Sequence, residues 1–177
     1  MKKVIALIMA ALFCLTCIAY ADDTARRQPA IEIYDFDGNR VENPDWDNLW
    51  QYGAVFDVNG NIVPQTRGGD YVNSEKILET GCYWRSYQYY VGNGTYIKYG
   101  GSCPQSGIAV IVERAETIGG NRVANYGDLH KKLTVNEISW MFGPSDTIED
   151  GKELRYVDFM YVNDAPGTLT FKVHIST

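Results

Sequence analysis

The stretch Thr134-Val135-Asn136-Glu137-Ile138-Ser139-Trp140-Met141-Phe142-Gly143-Pro144 decides the fold class that the sequence predicts. Thr134 and Glu137 stand at capping-box spacing, in which each side chain satisfies the other residue's orphan amide at a helix start. Ile138, Met141 and Phe142 follow at helical spacing, and Gly143-Pro144 supplies a stop. The spacing predicts a helix over 135–142. A second short helix is expected over 73–81, capped by Asn73 or Ser74 and ended by Gly81.

Strands surround these helices. In the last ten residues Leu169, Phe171, Val173 and Ile175 alternate with Thr170, Lys172, His174 and Ser176, the pattern of a half-buried antiparallel strand. A partner strand over 153–162 precedes it, across the turn Asn163-Asp164-Ala165-Pro166-Gly167. Ile108-Ala109-Val110-Ile111-Val112 is a continuous apolar run, read as a strand covered on both faces. The expected fold is therefore α+β, mainly antiparallel sheet with one or two short helices.

Two short segments repeat with a period of 22 residues. Tyr34-Asp35-Phe36-Asp37-Gly38-Asn39-Arg40-Val41 matches Phe56-Asp57-Val58-Asn59-Gly60-Asn61-Ile62-Val63. Asp-Gly and Asn-Gly between apolar positions signal hairpin turns. The alternating oxygens of Asp35/Asp37 and Asp57/Asn59 also resemble the start of a calcium loop. The twelfth position, however, holds Trp46 or Gly68 in place of the required Glu.

The cysteines divide between the two ends of the export argument. Lys2 and Lys3, an apolar run over 4–18 and Ala19-Tyr20-Ala21 have the three parts of a cleavable secretory leader, so 1–21 is expected to be removed. Residues 22–177 then form one domain, exported to the periplasm or beyond the cell, with no stable membrane insertion. Cys14 and Cys17 leave with the leader. Cys82 and Cys103 remain in a compartment that permits disulfides. A two-residue turn at Gly92-Asn93 sets them directly opposite each other across a tyrosine-rich hairpin, and a single disulfide is expected there.

Loss of two lysines makes the formal net charge of −6 more negative still. Such a chain is repelled by nucleic acid and by anionic lipid, and no basic cluster offsets the repulsion. His130 and His174 belong to no zinc spacing, no Gly-x-Ser-x-Gly elbow is present, and no glycine-rich phosphate loop precedes a helix. No metal, no cofactor and no catalytic group is expected.

Leu133-Thr134-x-x-Glu137-Ile138, then Phe142-Gly143-Pro144, Tyr156 and Leu169-Thr170-Phe171, resembles the BamE/SmpA and β-lactamase-inhibitor-protein-like family over residues 133–173. The resemblance implies a short capped helix before an antiparallel sheet. It also implies an exported bacterial protein that binds other proteins, in envelope assembly or enzyme inhibition.

Two functions follow as expectations. The first is a protein-binding module without catalysis, anchored by the rings of Trp84, Tyr87, Tyr89, Tyr96, Trp46 and Trp50. The alternative is a glycan- or cell-wall-binding protein, or a glycan-cleaving enzyme, that uses exposed Trp and Tyr rings with acidic residues.

Overall fold

The computed structural model describes residues 31–64, 74–124 and 131–177, all within the compact unit 31–177. The leader, Asn73 and His130 lie outside the described residues.

Among the described residues the strands run Ile31–Tyr34 (β1), Gly53–Phe56 (β2), Glu75–Leu78 (β3), Tyr83–Ser86 (β4), Gln88–Val91 (β5), Ile97–Ser102 (β6) and Ile108–Ala115 (β7). The short Val123–Ala124 (β8) and Lys131–Lys132 (β9) follow, then Ile138–Phe142 (β10). A small hairpin, Ile148–Glu149 (β11) with Lys152–Glu153 (β12), precedes Tyr156–Asn163 (β13) and Leu169–Ser176 (β14). All pairings are antiparallel. Among the described residues the helical elements are 3-10 turns at Leu49–Gln51 and Pro144–Thr147. No helix among the described residues is long and apolar enough to cross a membrane.

The strands form two main sheets. In the first, β13 lies between β7 and the pair β4 and β5, with β1 and β2 beyond that pair. The second runs β10-β6-β14-β3. They stack face to face over one core. Tyr99 of the second sheet stacks on Phe159 of the first at 4.6 Å, and Phe171 stacks on Tyr161 at 5.7 Å. The buried Tyr161 hydroxyl donates to Gly100 O at 2.8 Å, which satisfies the one polar atom this ring carries into the core. The fold is thus all-β, and the expected α+β class is overturned.

Both predicted helices are strands, for a physical reason that can be read residue by residue. In β10, Ile138 and Trp140 are half-buried and Phe142 is fully buried, while Ser139 and Met141 face out. The operative period is two. A helical stripe would have buried Met141, which is 62% exposed. The Thr134 hydroxyl donates to Asn136 O instead of capping a helix. Tertiary demand outweighs local propensity here, because β10 supplies β6 with a hydrogen-bonding partner along its whole length. Likewise 75–78, inside the second expected helix, pairs with β14 as β3.

The Cys82–Cys103 disulfide is absent; both thiols are free. The predicted hairpin does not form, because β5 bonds to β1 and β13 whereas β6 bonds to β10 and β14. Residues 92–96 carry the chain from one sheet to the other, so Gly92-Asn93 does not set the flanking strands side by side. Cys82 sits before β4 in the first sheet, and buried Cys103 follows β6 in the second. The strand expectations for 108–112 and 168–176 hold, with Leu169, Phe171, Val173 and Ile175 buried. The last two strands nevertheless belong to different sheets.

The 22-residue repeat is structural. In each copy the Asp carbonyl accepts from the Gly amide and the Asp amide donates to the Asn carbonyl: Asp35 with Gly38 and Asn39, Asp57 with Gly60 and Asn61. This is a type I turn closed by a left-handed glycine. Each carboxylate also accepts from two backbone amides and the Asn side chain, which holds it below the usual carboxylate range. The two hairpins pack side by side through Phe36 and Phe56, whose rings meet edge-on at 5.3 Å. Gly60 has φ +81 and no backbone crowding. Gly60→Ala is therefore expected to cost about 1–2 kcal/mol in urea unfolding through left-handed strain alone.

Candidate functional site

The ring-bearing residues singled out in the sequence separate into three groups. Trp84 and Tyr89 are core, at 1% and 0% exposure. The cause is a β-bulge at Tyr87. Arg85 faces Met160 and Tyr89 faces Val157, so β4 and β5 carry one residue more than β13 over the same span. The extra residue is Tyr87, whose amide donates to Tyr52 O at 2.8 Å. Before the bulge Trp84 and Ser86 point inward; after it Tyr89 and Val91 do. Uninterrupted alternation would have put Trp84 and Tyr89 on opposite faces, and an exposed ring there was the basis of the binding assignment. Both are removed from it.

Tyr87 and Trp50 are half-buried and engaged. The Tyr87 ring lies edge-on to Phe36 at 4.9 Å. The Trp50 indole has the Lys76 ammonium over its face at 4.9 Å, and the same ammonium lies 5.7 Å from Trp84. Burial pushes the Lys76 amine down to about 8. Trp50 is thus not available as a stacking platform. Tyr96 is half exposed and leans on Gly143, where an added Cβ would come within 2.4 Å of the ring.

Trp46 differs from all of these. Its indole is 41% exposed and lines a cleft of about 220 Å3 with Glu32, Arg40, Val41, Glu42 and Asn43. The loop that presents it is pinned from within. The Asp45 carboxylate accepts from the Asp47 amide at 3.2 Å, the Asn48 side chain at 2.9 Å and the Gln51 side chain at 3.2 Å. These donors hold it below the usual carboxylate range, the Asn48 amide contributing most. The Asp45 amide in turn donates to the Tyr52 hydroxyl at 2.7 Å. In the same cleft the Arg40 guanidinium pairs with Glu32 at 3.5 Å, and Glu32 also accepts from the Tyr34 hydroxyl. The cleft therefore combines one fixed aromatic face with a guanidinium, two carboxylates and an amide. The sequence offered Trp46 as a candidate. It did not offer Glu32, Arg40, Glu42 or Asn43, because only the turn at Asp35–Asn39 folds Arg40 back against β1.

A larger cleft of about 420 Å3 lies between 116–123 and the β11–β12 hairpin, with Glu116, Asn121, Glu149, Asp150 and Lys152 in its walls. It presents no aromatic ring. Lys152 pairs with Glu116 at 3.4 Å, and Glu149 pairs with Arg114, so its charges largely answer one another. On the outer face of the second sheet, His174 Nε2 lies 3.3 Å from Ser176 Oγ and its Nδ1 lies 3.6 Å from Glu137. The second distance exceeds a hydrogen bond, and this face of β14 is open to solvent. No group of three or more metal-ligating side chains occurs among the described residues.

No family model matches this chain. No curated protein matches it. Among solved structures, one described as "CBM4 structure and function", a carbohydrate-binding module, aligns over 76% of this chain and 92% of its own, at 12% identity and a TM-score of 0.33. A likeness of that strength carries no argument about what this chain does.

Proposed function

We propose that this is an exported carbohydrate-binding domain that acts by binding, without turnover, through the cleft at Trp46. One observation supports it above the rest: an exposed indole, on a loop pinned through the Asp45 carboxylate, lines one cleft with the paired Arg40 and Glu32. A sugar ring has one face of C–H bonds and an edge of hydroxyls. The C–H face packs on an indole, and the hydroxyls bond to groups such as the Arg40 guanidinium and the Glu32 and Glu42 carboxylates. The cleft is small against the roughly 300–1,000 Å3 of enclosed ligand pockets. An open site of this kind suits a chain lying across it. Because the loop is already ordered, little conformational entropy is lost on binding.

Trp46→Ala is expected to weaken polysaccharide binding at least about tenfold, or about 1.4 kcal/mol, while the melting temperature stays within about a degree. Affinity electrophoresis against a panel of soluble polysaccharides measures the first, and calorimetry the second. Tyr96→Ala serves as control and should bind like the parent. If no polysaccharide retards the protein, or if Trp46→Ala binds as the parent does, the proposal fails.

A further inference from the structure

We infer that the outer edge of β10 is a self-association surface, and that two copies of this chain pair their β10 strands antiparallel about Trp140. β10 ends the second sheet. It bonds to β6 on one side and to nothing on the other among the described residues. An edge strand with unpaired amides and carbonyls is a template for another strand, and native edges are ordinarily blunted with charge. β3, at the opposite edge of the same sheet, carries Glu75 and Lys76. β10, Ile138-Ser139-Trp140-Met141-Phe142, carries no charged residue. Three exposed apolar side chains lie around it: Val135 at 71%, Met141 at 62% and Tyr96 at 52%.

The chemistry of the strand selects a second copy as the occupant. In a chain with a formal net charge of −6, most surfaces repel their own image. With the two-fold at Trp140, Ile138 faces Phe142 of the other copy and Ser139 faces Met141. Glu137 faces Gly143, so no carboxylate meets a carboxylate. Pro144, which has no amide hydrogen, ends the ladder just beyond. The product joins two four-stranded sheets into one continuous sheet and sets Met141 beside Ser139 of the other copy.

Sedimentation equilibrium over a wide concentration range, on the protein as the cell processes it, tests this. The parent should show a reversible monomer–dimer equilibrium. Ser139→Lys with Met141→Lys sets lysine against lysine twice in the dimer and should weaken it about tenfold or more. Ser139→Glu with Met141→Lys sets opposite charges together at the same places and should restore it. Both positions face solvent, so the monomer's circular dichroism should not change; Met141→Lys, common to both variants, stands opposite Lys98 of β6, and the melting temperature should fall only slightly in either. Amide exchange within 138–142 should slow as the parent is concentrated, which reports the edge without any substitution. A parent that is monomeric at every concentration overturns the inference. So does a double-lysine variant that dimerises as tightly as the parent, or a charge-swapped variant that stays monomeric.

Discussion

Trp84→Ala should cost about 3–5 kcal/mol of folding stability, the range for removing a large aromatic ring from a packed core. The indole is 1% exposed and meets Tyr161 edge-on at 5.5 Å. Tyr161 then stacks on Phe171 across the sheets, so the cavity would open in a chain of rings that joins the two layers. Gly53 shows how closely the site is fitted: a Cβ there would come within 2.4 Å of the indole. Room to collapse around a lost ring is small, which places the effect toward the upper end. Lys76 adds to it, because the ammonium that rests near Trp84 and Trp50 would lose the Trp84 ring face. Urea unfolding gives the stability, and affinity electrophoresis of the folded fraction should show polysaccharide binding unchanged. A variant as stable as the parent would show that Trp84 is not core.

Arg85→Ala should cost a similar amount, about 3–5 kcal/mol near neutral pH, and about 1.4 kcal/mol less near pH 5. Arg85 lies on the outer face of the first sheet, with its Nε 2.9 Å from Asp158 Oδ2 and its other end paired with Glu113. Arg122 reaches the same Oδ2 at 2.9 Å. The Asp158 side chain is 1% exposed, and its Oδ1 has no hydrogen-bond partner among the described residues. Burial pushes the Asp158 carboxyl up to about 6, against the pull of the two guanidiniums. Removing Arg85 leaves a buried carboxylate with one partner in place of two.

The pH dependence follows in sign. A carboxyl that holds its proton more tightly in the fold than in the unfolded chain contributes stability below its ordinary pKa of 3.8. That contribution is lost as pH rises to about 6. The parent should therefore lose stability from this group between about pH 4 and pH 6, and Asp158→Asn should flatten that part of the curve. Arg85→Ala should recover about 1.4 kcal/mol of its deficit between pH 7 and pH 5, the most that one carboxyl titrating at about 6 can return over that range. Denaturant unfolding at a series of pH values separates these outcomes. A deficit that stays constant with pH would mean that Arg85 acts through its packing alone.

Some of this protein was legible from order along the chain. Leu169, Phe171, Val173 and Ile175 declare their strand because period-two alternation survives any arrangement that buries one face. The run at 108–112 does so because it is apolar on both faces. The Asp-x-x-Gly-Asn turns are local too: the carboxylate, the glycine and the asparagine that close each one lie within five residues. The 22-residue period therefore reported real geometry.

What tertiary structure decided were the questions whose answers lie on another strand. Residues 134–142 satisfy a helix pattern and a strand pattern alike, and Trp140 tips the balance only once β6 needs an edge partner. Cys82 and Cys103 are well spaced for a hairpin, but the chain at 92–96 crosses between sheets, and no local signal distinguishes a crossing from a turn. The Tyr87 bulge moves Tyr89 to the same face as Trp84, because a one-residue insertion inverts every side chain beyond it. Asp158 appears in sequence as one more strand-borne acid; its burial between Arg85 and Arg122 exists only after β4, β13 and the segment before β8 have met. The Trp46 cleft is the same kind of feature. Its indole is visible in the sequence, and the groups that share its cleft are assembled by a turn and a strand pairing.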